Sequence, residues 1–584
     1  MPHTAVNHRI IALRRFRPLA ILPLLSLLAL GSMGVSQAWA ASSTDAPPSA
    51  SPGQVEKRLP TPAPSNRLQL NIPAPVESQQ LPEALRAKLE SQKFALKNIV
   101  IEGATVYQKA DLAFAYQEYV GKTISLLDAR AIANKITTFY RNNGYILSQA
   151  VVPAQDVTNG TLKIRVVEGF IGTVSYTGDP SDPAEQKLLD SYAENIKNLH
   201  PVNISDMERY MLLMNDLPGS TITGLIRPSN SEFGAADLVL TVFRKTFEGS
   251  YTLDNRGSRV LGPWQHTFML GANSMIDAYD HTQVRVMTTD PLRELFLAEF
   301  QHDEILDDEG TKFTFLASHT RTEPGDYLTP EHFVGDSDLF EAKISHPFMR
   351  MRQESLVGRF VVDVHNTDVD ALGTDPLTRD RLRIARVGGT YNFLDLLRGS
   401  DSFDAQLSQG MNVFEATSSG SERSNPNGDS AFTKGNADVS RLQPLPENFS
   451  LLTAATGQYS FEPLLTDEQF SLGGADYGRA FDPAEALGDS GVGGKAELRY
   501  DDLVQEPYFD SYQLFTFFDI EEAWMRKVSP DSISMSSVGV GTRFKFTDNF
   551  SSAVEADFPV IKPVDDQTDY RHDPRIFFTM TARF

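Results

Sequence analysis

The sequence predicts a mainly β protein with α+β N-terminal domains: an antiparallel transmembrane β-barrel of about 16 strands, preceded by two βααββ domains. Three observations carry this prediction. A secretory leader opens the chain, a block of about 75 residues repeats before residue 246, and from there to Phe584 helical periodicity gives way to short alternating segments.

The leader decides which solvent the rest of the chain meets. His8, Arg9, Arg14, Arg15 and Arg17 form a basic start, Leu19 to Leu30 is apolar, and Ala38-Trp39-Ala40 supplies the small-x-small pattern read by signal peptidase. Residues 1–40 are therefore expected to be a signal peptide, cleaved after Ala40. A membrane anchor would need roughly 20 apolar residues, and Ser36 and Gln37 end this run early. No later stretch of the sequence is long and apolar enough for a transmembrane helix.

Composition narrows the classes further. With 0 Cys in 584 residues there is no disulfide framework, thiolate metal site or thiol nucleophile. The net charge of -23 argues against nucleic-acid binding, which needs clustered Lys and Arg. Pairs such as Asp307-Asp308 and Asp501-Asp502, and the scattered His302, His319 and His365, lack metal-ligand or catalytic spacing, and no phosphate loop is present. No catalytic, cofactor-binding or metal-binding residues are expected, nor any nucleotide. A barrel-borne hydrolase is the remote alternative.

Residues 41–93 read as an extended linker. Pro47, Pro48, Pro52, Pro60, Pro62, Pro64, Pro73 and Pro75 interrupt any regular pattern.

The first folded unit, 94–168, begins with a strand-like run from Phe94 to Glu102, followed by a helix over Asp111 to Tyr119. Ala129, Ile132, Ala133, Ile136, Phe139 and Tyr140 then form one apolar stripe at helical spacing, with Asp128 as cap and Gly144 as stop. Ile146 to Val152 and Leu162 to Val167 supply two strands, joined through a hairpin turn at Asn159-Gly160. The order recurs in 169–246: a strand at Gly172 to Thr177, helices at Ala184 to Leu199 and Ser205 to Leu217, and strands at Thr221 to Arg227 and Ala236 to Phe243. A Ser205-x-x-Glu208 capping box opens the second helix. Small sheets of this kind have free edges on which an extended peptide can add as a strand.

Residues 247–584 alternate. Gln283 to Met287, Lys312 to Ala317, Arg359 to Val364 and Gly494 to Tyr500 are examples. In the last stretch Ile576, Phe578, Met580, Ala582 and Phe584 fall on one face, with Phe577, Thr579, Thr581 and Arg583 on the other. One face suits lipid and the other water. At roughly 20 residues per tilted strand and connection, this length gives about 16 strands, enough for a polar lumen.

From Phe94 to Phe584 the chain resembles the outer-membrane translocators of two-partner (type Vb) secretion, the TpsB-type haemolysin secretion/activation proteins. The resemblance is carried by the two repeats, which match polypeptide-transport-associated (POTRA) domains, and by the run His346-Pro347-Phe348-Met349-Arg350-Met351-Arg352. The block from Glu468-Gln469-Phe470-Ser471-Leu472-Gly473-Gly474 through Tyr477-Gly478-Arg479-Ala480-Phe481 to Gly488-Asp489-Ser490-Gly491 completes it. It implies a monomeric barrel among outer-membrane lipids, with its N-terminal domains in the periplasm, that exports a large unfolded TpsA-type exoprotein. An assembly factor that inserts other barrels is the alternative.

The resemblance also implies a gate. In that family a long loop folds back into the barrel and an Arg at its tip meets an acidic residue on the inner wall. Gly478, Arg479 and Phe481 match the tip, and Phe517-Phe518-Asp519 matches the wall strand, so Asp519 is the expected partner. Ala480 replaces the usual Gly, which is harmless only if the backbone there keeps φ below zero. Some relatives thread an N-terminal helix through the pore; the Pro-rich linker is expected not to.

Overall fold

The computed structural model describes residues 47–58, 69–71, 82–178, 182–229, 232–372, 375–418, 420, 422–526, 532–561 and 574–584. The signal peptide predicted over 1–40 lies outside the described residues.

The linker is the largest departure from the expectation. Pro48–Ala50 forms a 3-10 turn and Pro52–Glu56 a short helix, α1, both buried. Each begins on a proline, the one helical position where a missing N–H costs nothing and a fixed φ helps. Further on, Gln69–Asn71 forms a strand, β1, and Glu83–Ser91 a helix, α2.

In the first N-terminal domain the expected opening strand is split into β2 (Lys93–Ala95) and β3 (Asn98–Glu102). The helix expected over 111–119 is instead two 3-10 turns, Ala113–Ala115 and Gln117–Tyr119. That segment is short and carries Phe114, Tyr116 and Tyr119, poor material for an α-helix of barely two turns. After β4 (Thr123–Ser125), helix α3 (Leu126–Asn142) buries the predicted stripe. Its cap is Ser125, not Asp128; Asp128 is the third helical residue and returns a bond to the Ser125 N–H at 2.8 Å. Strands β5 (Gln149–Val151) and β6 (Thr161–Val167) pair antiparallel. Their connection spans 152–160, so Asn159-Gly160 is a turn at the start of β6, with Gly160 at φ +80°, and not a tight hairpin. The sheet runs β3-β6-β5.

The second domain is more regular: β7 (Phe170–Gly178), α4 (Pro183–Lys197), α5 (Ile204–Asn215), β8 (Ser220–Pro228) and β9 (Ala235–Arg244). Asn203 caps α5 by accepting the Ser205 N–H at 3.0 Å, so Ser205 lies inside the helix and the expected Ser205–Glu208 capping box is not used. The sheet order is β1-β8-β9-β7, with β1 from the linker added in parallel at the β8 edge.

From Phe247 a closed barrel of sixteen antiparallel strands runs to Arg583, sealed where Phe247–Asp254 pairs with Arg575–Arg583. Alternation sorts its two faces as the sequence suggests. Gln283, Arg285 and Met287 are buried inward while Val284 points out; Phe577 is buried inward while Ile576 is 68% exposed. Phe268, Leu270, Phe340, Phe360, Phe518 and Val540 contribute to an apolar outer belt, which suits a bilayer and not water. No described helix is long and apolar enough to cross a membrane.

The second domain is docked onto the barrel's near rim. Arg350, only 4% exposed, reaches Asp216 with bonds of 2.6 and 2.7 Å, Arg352 meets Glu208 at 3.2 Å, and Arg209 donates to the Pro347 carbonyl at 3.1 Å. The run from His346 to Arg352 is thus a clamp for this domain. Asp308, one of the acidic pair weighed above, accepts from Asn195 at 3.0 Å and from Ser191. Tyr279, from a barrel turn, is fully buried in the domain's own core.

Candidate gate in the barrel lumen

The strands Phe449–Ser460 and Ser490–Glu506 are neighbours on the barrel wall, and the loop between them turns inward. It carries a small hairpin, Phe470–Leu472 with Ala486–Gly488, and presents Gly478, Arg479, Ala480 and Phe481 at its tip. Arg479, Ala480 and Phe481 are about 5% exposed or less. Gly478 has φ +61° and sits where a Cβ would overlap the Glu521 carboxylate, so glycine is required on two counts. Ala480 keeps φ below zero, which makes its Cβ harmless, and packs among Leu472, Ala523 and Met535.

The Arg479 guanidinium lies 4.0 Å above the Phe517 ring. The expected Asp519 stands at ion-pair distance, but the carboxylate that takes the hydrogen bond is Glu497. Nη1 meets Glu497 at 2.8 Å, whereas the nearest approach to Asp519 is 3.9 Å from Nε. Asp519 is nonetheless part of the site: it accepts the Ser537 N–H at 3.1 Å and Ser537 Oγ, and takes the backbone N–H of Arg479 at 3.4 Å. Glu497, with no exposed surface, also receives Arg499 at 2.7 Å and Arg543 at 2.9 Å. One buried carboxylate gathers three guanidiniums, and the loop tip supplies one of them. Glu497 escaped the sequence reading because it lies in an ordinary alternating strand; its one signal was an acidic residue at an inward position, two residues before Arg499.

A second ionic node fixes the base of the loop. Glu468 meets Arg386 at 2.9 Å and Lys434 at 2.7 Å, and Arg386 turns also to Asp363 at 2.8 Å. All four side chains belong to the barrel interior or the loop, and none is more than slightly exposed.

The buried N-terminal segment bolts onto this loop. Gln54 donates to the Thr466 carbonyl at 2.6 Å, Lys57 to the Gln469 carbonyl at 3.1 Å, and Arg58 to the Pro483 carbonyl at 3.3 Å. Gly53 faces Asp467 so closely that a Cβ would overlap the carboxylate. On the wall side, Glu56 accepts Thr320 at 2.8 Å and lies 3.2 Å from His365. Ala50 and Val55 fill an apolar pocket with Leu261, Leu295, Leu297 and Phe333. The expectation of an unthreaded pore is therefore corrected: residues 47–58 occupy the lumen as two short turns, not one long helix.

Comparison with known proteins fits this arrangement. Residues 94–169 match the POTRA domain, ShlB-type, and residues 312–544 match the haemolysin secretion/activation protein ShlB/FhaC/HecB. The chain is thus similar to that haemolysin secretion/activation family over one N-terminal domain and much of the barrel. The heme/hemopexin transporter protein HuxB of Haemophilus influenzae is 24% identical over 489 residues, covering 81% of this chain and 84% of the relative. The outer membrane transporter CdiB of Escherichia coli O6:K15:H31 is 24% identical over 489 residues, covering 80% and 79%. Among solved structures, CdiB from Escherichia coli superimposes with a TM-score of 0.68 at 20% identity over 91% of this chain and 95% of that one. CdiB from Acinetobacter baumannii gives 0.60 at 17% identity over 85% and 91%. The two N-terminal units are POTRA domains in the periplasm, and the barrel resides in the outer membrane.

Proposed function

We propose that this protein exports one large, unfolded exoprotein by two-partner secretion, that POTRA sheet edges take up its extended segments, and that the Arg479 loop gates the lumen. The observation that carries the reading is the joint occupation of the lumen. The loop and residues 47–58 are both buried inside the barrel, and beside two small apolar contacts around Val55 and Phe481 they are held by polar contacts and ion pairs, which water can replace. A permanent apolar core would not open in this way.

In this mechanism, pairing of the client with a POTRA edge loosens the lumenal contacts, and the chain then threads outward. The periplasm supplies no nucleotide and the sequence holds no nucleotide motif, so folding of the client at the cell surface drives transport by removing extended chain from the pore. The match of 312–544 to a secretion family favours this over insertion of other barrels. Deleting the gene and comparing the culture medium with the outer membrane tests it. Loss of one large protein from the medium is expected; a general fall in outer-membrane barrels would establish an assembly factor instead.

A further inference from the structure

Three arginines stand in a row on the lipid side of the barrel. The strand Asp375–Leu394 bonds at its Leu394 end to Gln353, on the rim that holds POTRA2, so its Asp375 end lies toward the cell surface. Leu382 and Ile384 are buried inward, and alternation therefore turns Arg379, Arg381 and Arg383 outward, in line with the exposed Val387 and with Tyr391. From Tyr391 to Arg383 the strand climbs roughly 27 Å, or about 20 Å through the membrane at a tilt of about 40°. The apolar band of such a barrel is about 25 Å tall, which sets Arg383 at the outer boundary of the lipid. Arg379 and Arg381 are neutralised by Asp370 and Asp368 of the neighbouring strand Glu354–Ala371, with Arg381 at 2.6 Å from Asp368. Arg383 is not. Among the described residues it donates only to neutral oxygens, Asn366 Oδ1 at 2.9 Å and the Leu382 and His365 carbonyls at 2.7 and 3.4 Å, and Glu415 acts on it from beyond ion-pair distance. Beside it the segment 411–417 bonds along the strand, the Met411 N–H to the Arg383 carbonyl at 2.9 Å and the Thr417 N–H to that of Arg381 at 3.0 Å. That segment leaves Val413 exposed and Phe414 84% exposed.

We propose that Arg383 is the seat for one phosphate of the phosphorylated glycolipid of the outer leaflet, with Val413 and Phe414 against the lipid's apolar body. The site does not depend on which protein the barrel exports. A guanidinium meets a phosphate with two parallel bonds and is weakly hydrated, so it is well matched to such a group at the edge of a membrane. A free phosphate would gain the same fork but nothing from Phe414 or from the apolar belt that runs directly below Arg383, which favours the lipid. Arg321 supplies the contrast. It too faces outward near the surface end of its strand, between the buried Thr320 and Thr322, but Asp336 at 3.2 Å and Glu323 at 3.0 Å already occupy its fork. On the inner side Leu382 and Ile384 pack with Leu464 and Leu465 at the base of the inward loop, so a lipid seated outside braces the strand on which that base rests.

Native mass spectrometry of the purified full-length protein in detergent, titrated with bisphosphorylated lipid A, measures the site directly. Wild type is expected to retain one lipid A, and Arg383→Gln to weaken that retention by about tenfold, the loss of one charge-assisted fork. Arg321→Gln removes an arginine that is already paired and should stay within about twofold of wild type. Inorganic phosphate in large excess should not displace the lipid. Equal retention by Arg383→Gln, an equal loss in Arg321→Gln, or displacement by free phosphate would each overturn the assignment. Heat-modifiable electrophoretic mobility verifies that the variant barrels are assembled. Should Arg383→Gln fail to assemble, the wild-type protein still decides: lipid A stripped of both phosphates should bind about tenfold more weakly, and equal retention of it would overturn the seat.

Discussion

Glu497→Gln is the substitution that bears most directly on the gate. The change keeps the size and one acceptor but leaves the Arg479 guanidinium, 5% exposed, without its hydrogen-bonded charge. Breaking a fully buried pair costs roughly 3 to 5 kcal/mol. Arg499 and Arg543 are 21% and 37% exposed and can rehydrate, which places the cost at the low end, about 3 kcal/mol. That is roughly a hundredfold shift from docked to undocked loop. Asp519→Asn should cost less than about 1.5 kcal/mol, because Asn keeps an acceptor for Ser537 and the guanidinium makes no hydrogen bond to Asp519. Single-channel recording in planar bilayers measures the docked-to-open ratio, with heat-modifiable electrophoretic mobility confirming that the barrel assembled. Pairing each change with Arg479→Ala in a double-mutant cycle isolates the coupling. A larger effect for Asp519→Asn than for Glu497→Gln would refute the assignment, and wild-type gating in both would remove Arg479 from the gate altogether.

Arg479→Ala itself is expected to impair export while leaving barrel assembly intact, as measured by exoprotein in the medium against barrel in the outer membrane. Gly53→Val should expel residues 47–58, since its side chain would enter the space of the Asp467 carboxylate; protease access to the N-terminal segment and more frequent channel opening would report it. Arg350→Ala should loosen POTRA2 from the rim by about 1 to 3 kcal/mol, a partly buried pair with Asp216 32% exposed, detected as faster hydrogen exchange in α5. In POTRA1, burial acts to raise the Glu168 pKa, but bonds from Thr105, the Val106 and Thr105 N–H groups and Tyr140 outweigh it and hold the carboxyl below the usual range. Its contribution to stability is therefore complete above the ordinary Glu value of about 4.3 and is lost as pH falls through the lower folded value. Amide exchange of α3 in the full chain should accelerate on acidification toward pH 3, and Glu168→Gln should flatten that dependence.

Periodicity made the barrel and most of α3, α4 and α5 legible, because a buried face must repeat at 2 or 3.6 residues wherever it occurs. Caps were less legible. Ser125 and Asp128 are both good capping residues three apart, and only the backbone decides which one stands outside the helix. The tip of the inward loop was placed from the family resemblance of Gly478, Arg479 and Phe481, and the same resemblance gave Asp519, which stands at ion-pair distance from Arg479. The hydrogen-bonded carboxylate was out of reach: Glu497 lies on the adjacent strand with an inward side chain, and its contact with Arg479 depends on a loop conformation that no local pattern encodes. Residues 47–58 were misread because proline marks both flexible linkers and helix starts. What separates the two is the apolar pocket around Ala50 and Val55, built from barrel strands and loops more than 200 residues away.

The chemistry of the lumen follows from what it must do. A plug that relied on apolar burial throughout would be held by about 25 cal/mol for each Å² removed from water, so that a few hundred Å² would outweigh a weak binding event in the periplasm. Ion pairs behave differently. Their attraction largely cancels against the desolvation of the charges, so a whole buried network is close to break-even against hydration, although removing one member is expensive. Arg386, Lys434, Glu468, Arg479 and Glu497 form such networks at both the base and the tip of the loop. They specify the closed geometry sharply and hold it shallowly. A few ladder hydrogen bonds gained on a POTRA edge are then of the right size to shift the balance. Replacing Glu468, Arg386, Lys434 and Asp363 together with apolar residues of similar volume should accordingly leave the barrel as stable as before, or more so, and close it permanently. A quadruple variant that still exports would show that the ionic character of the loop base is not what makes it release.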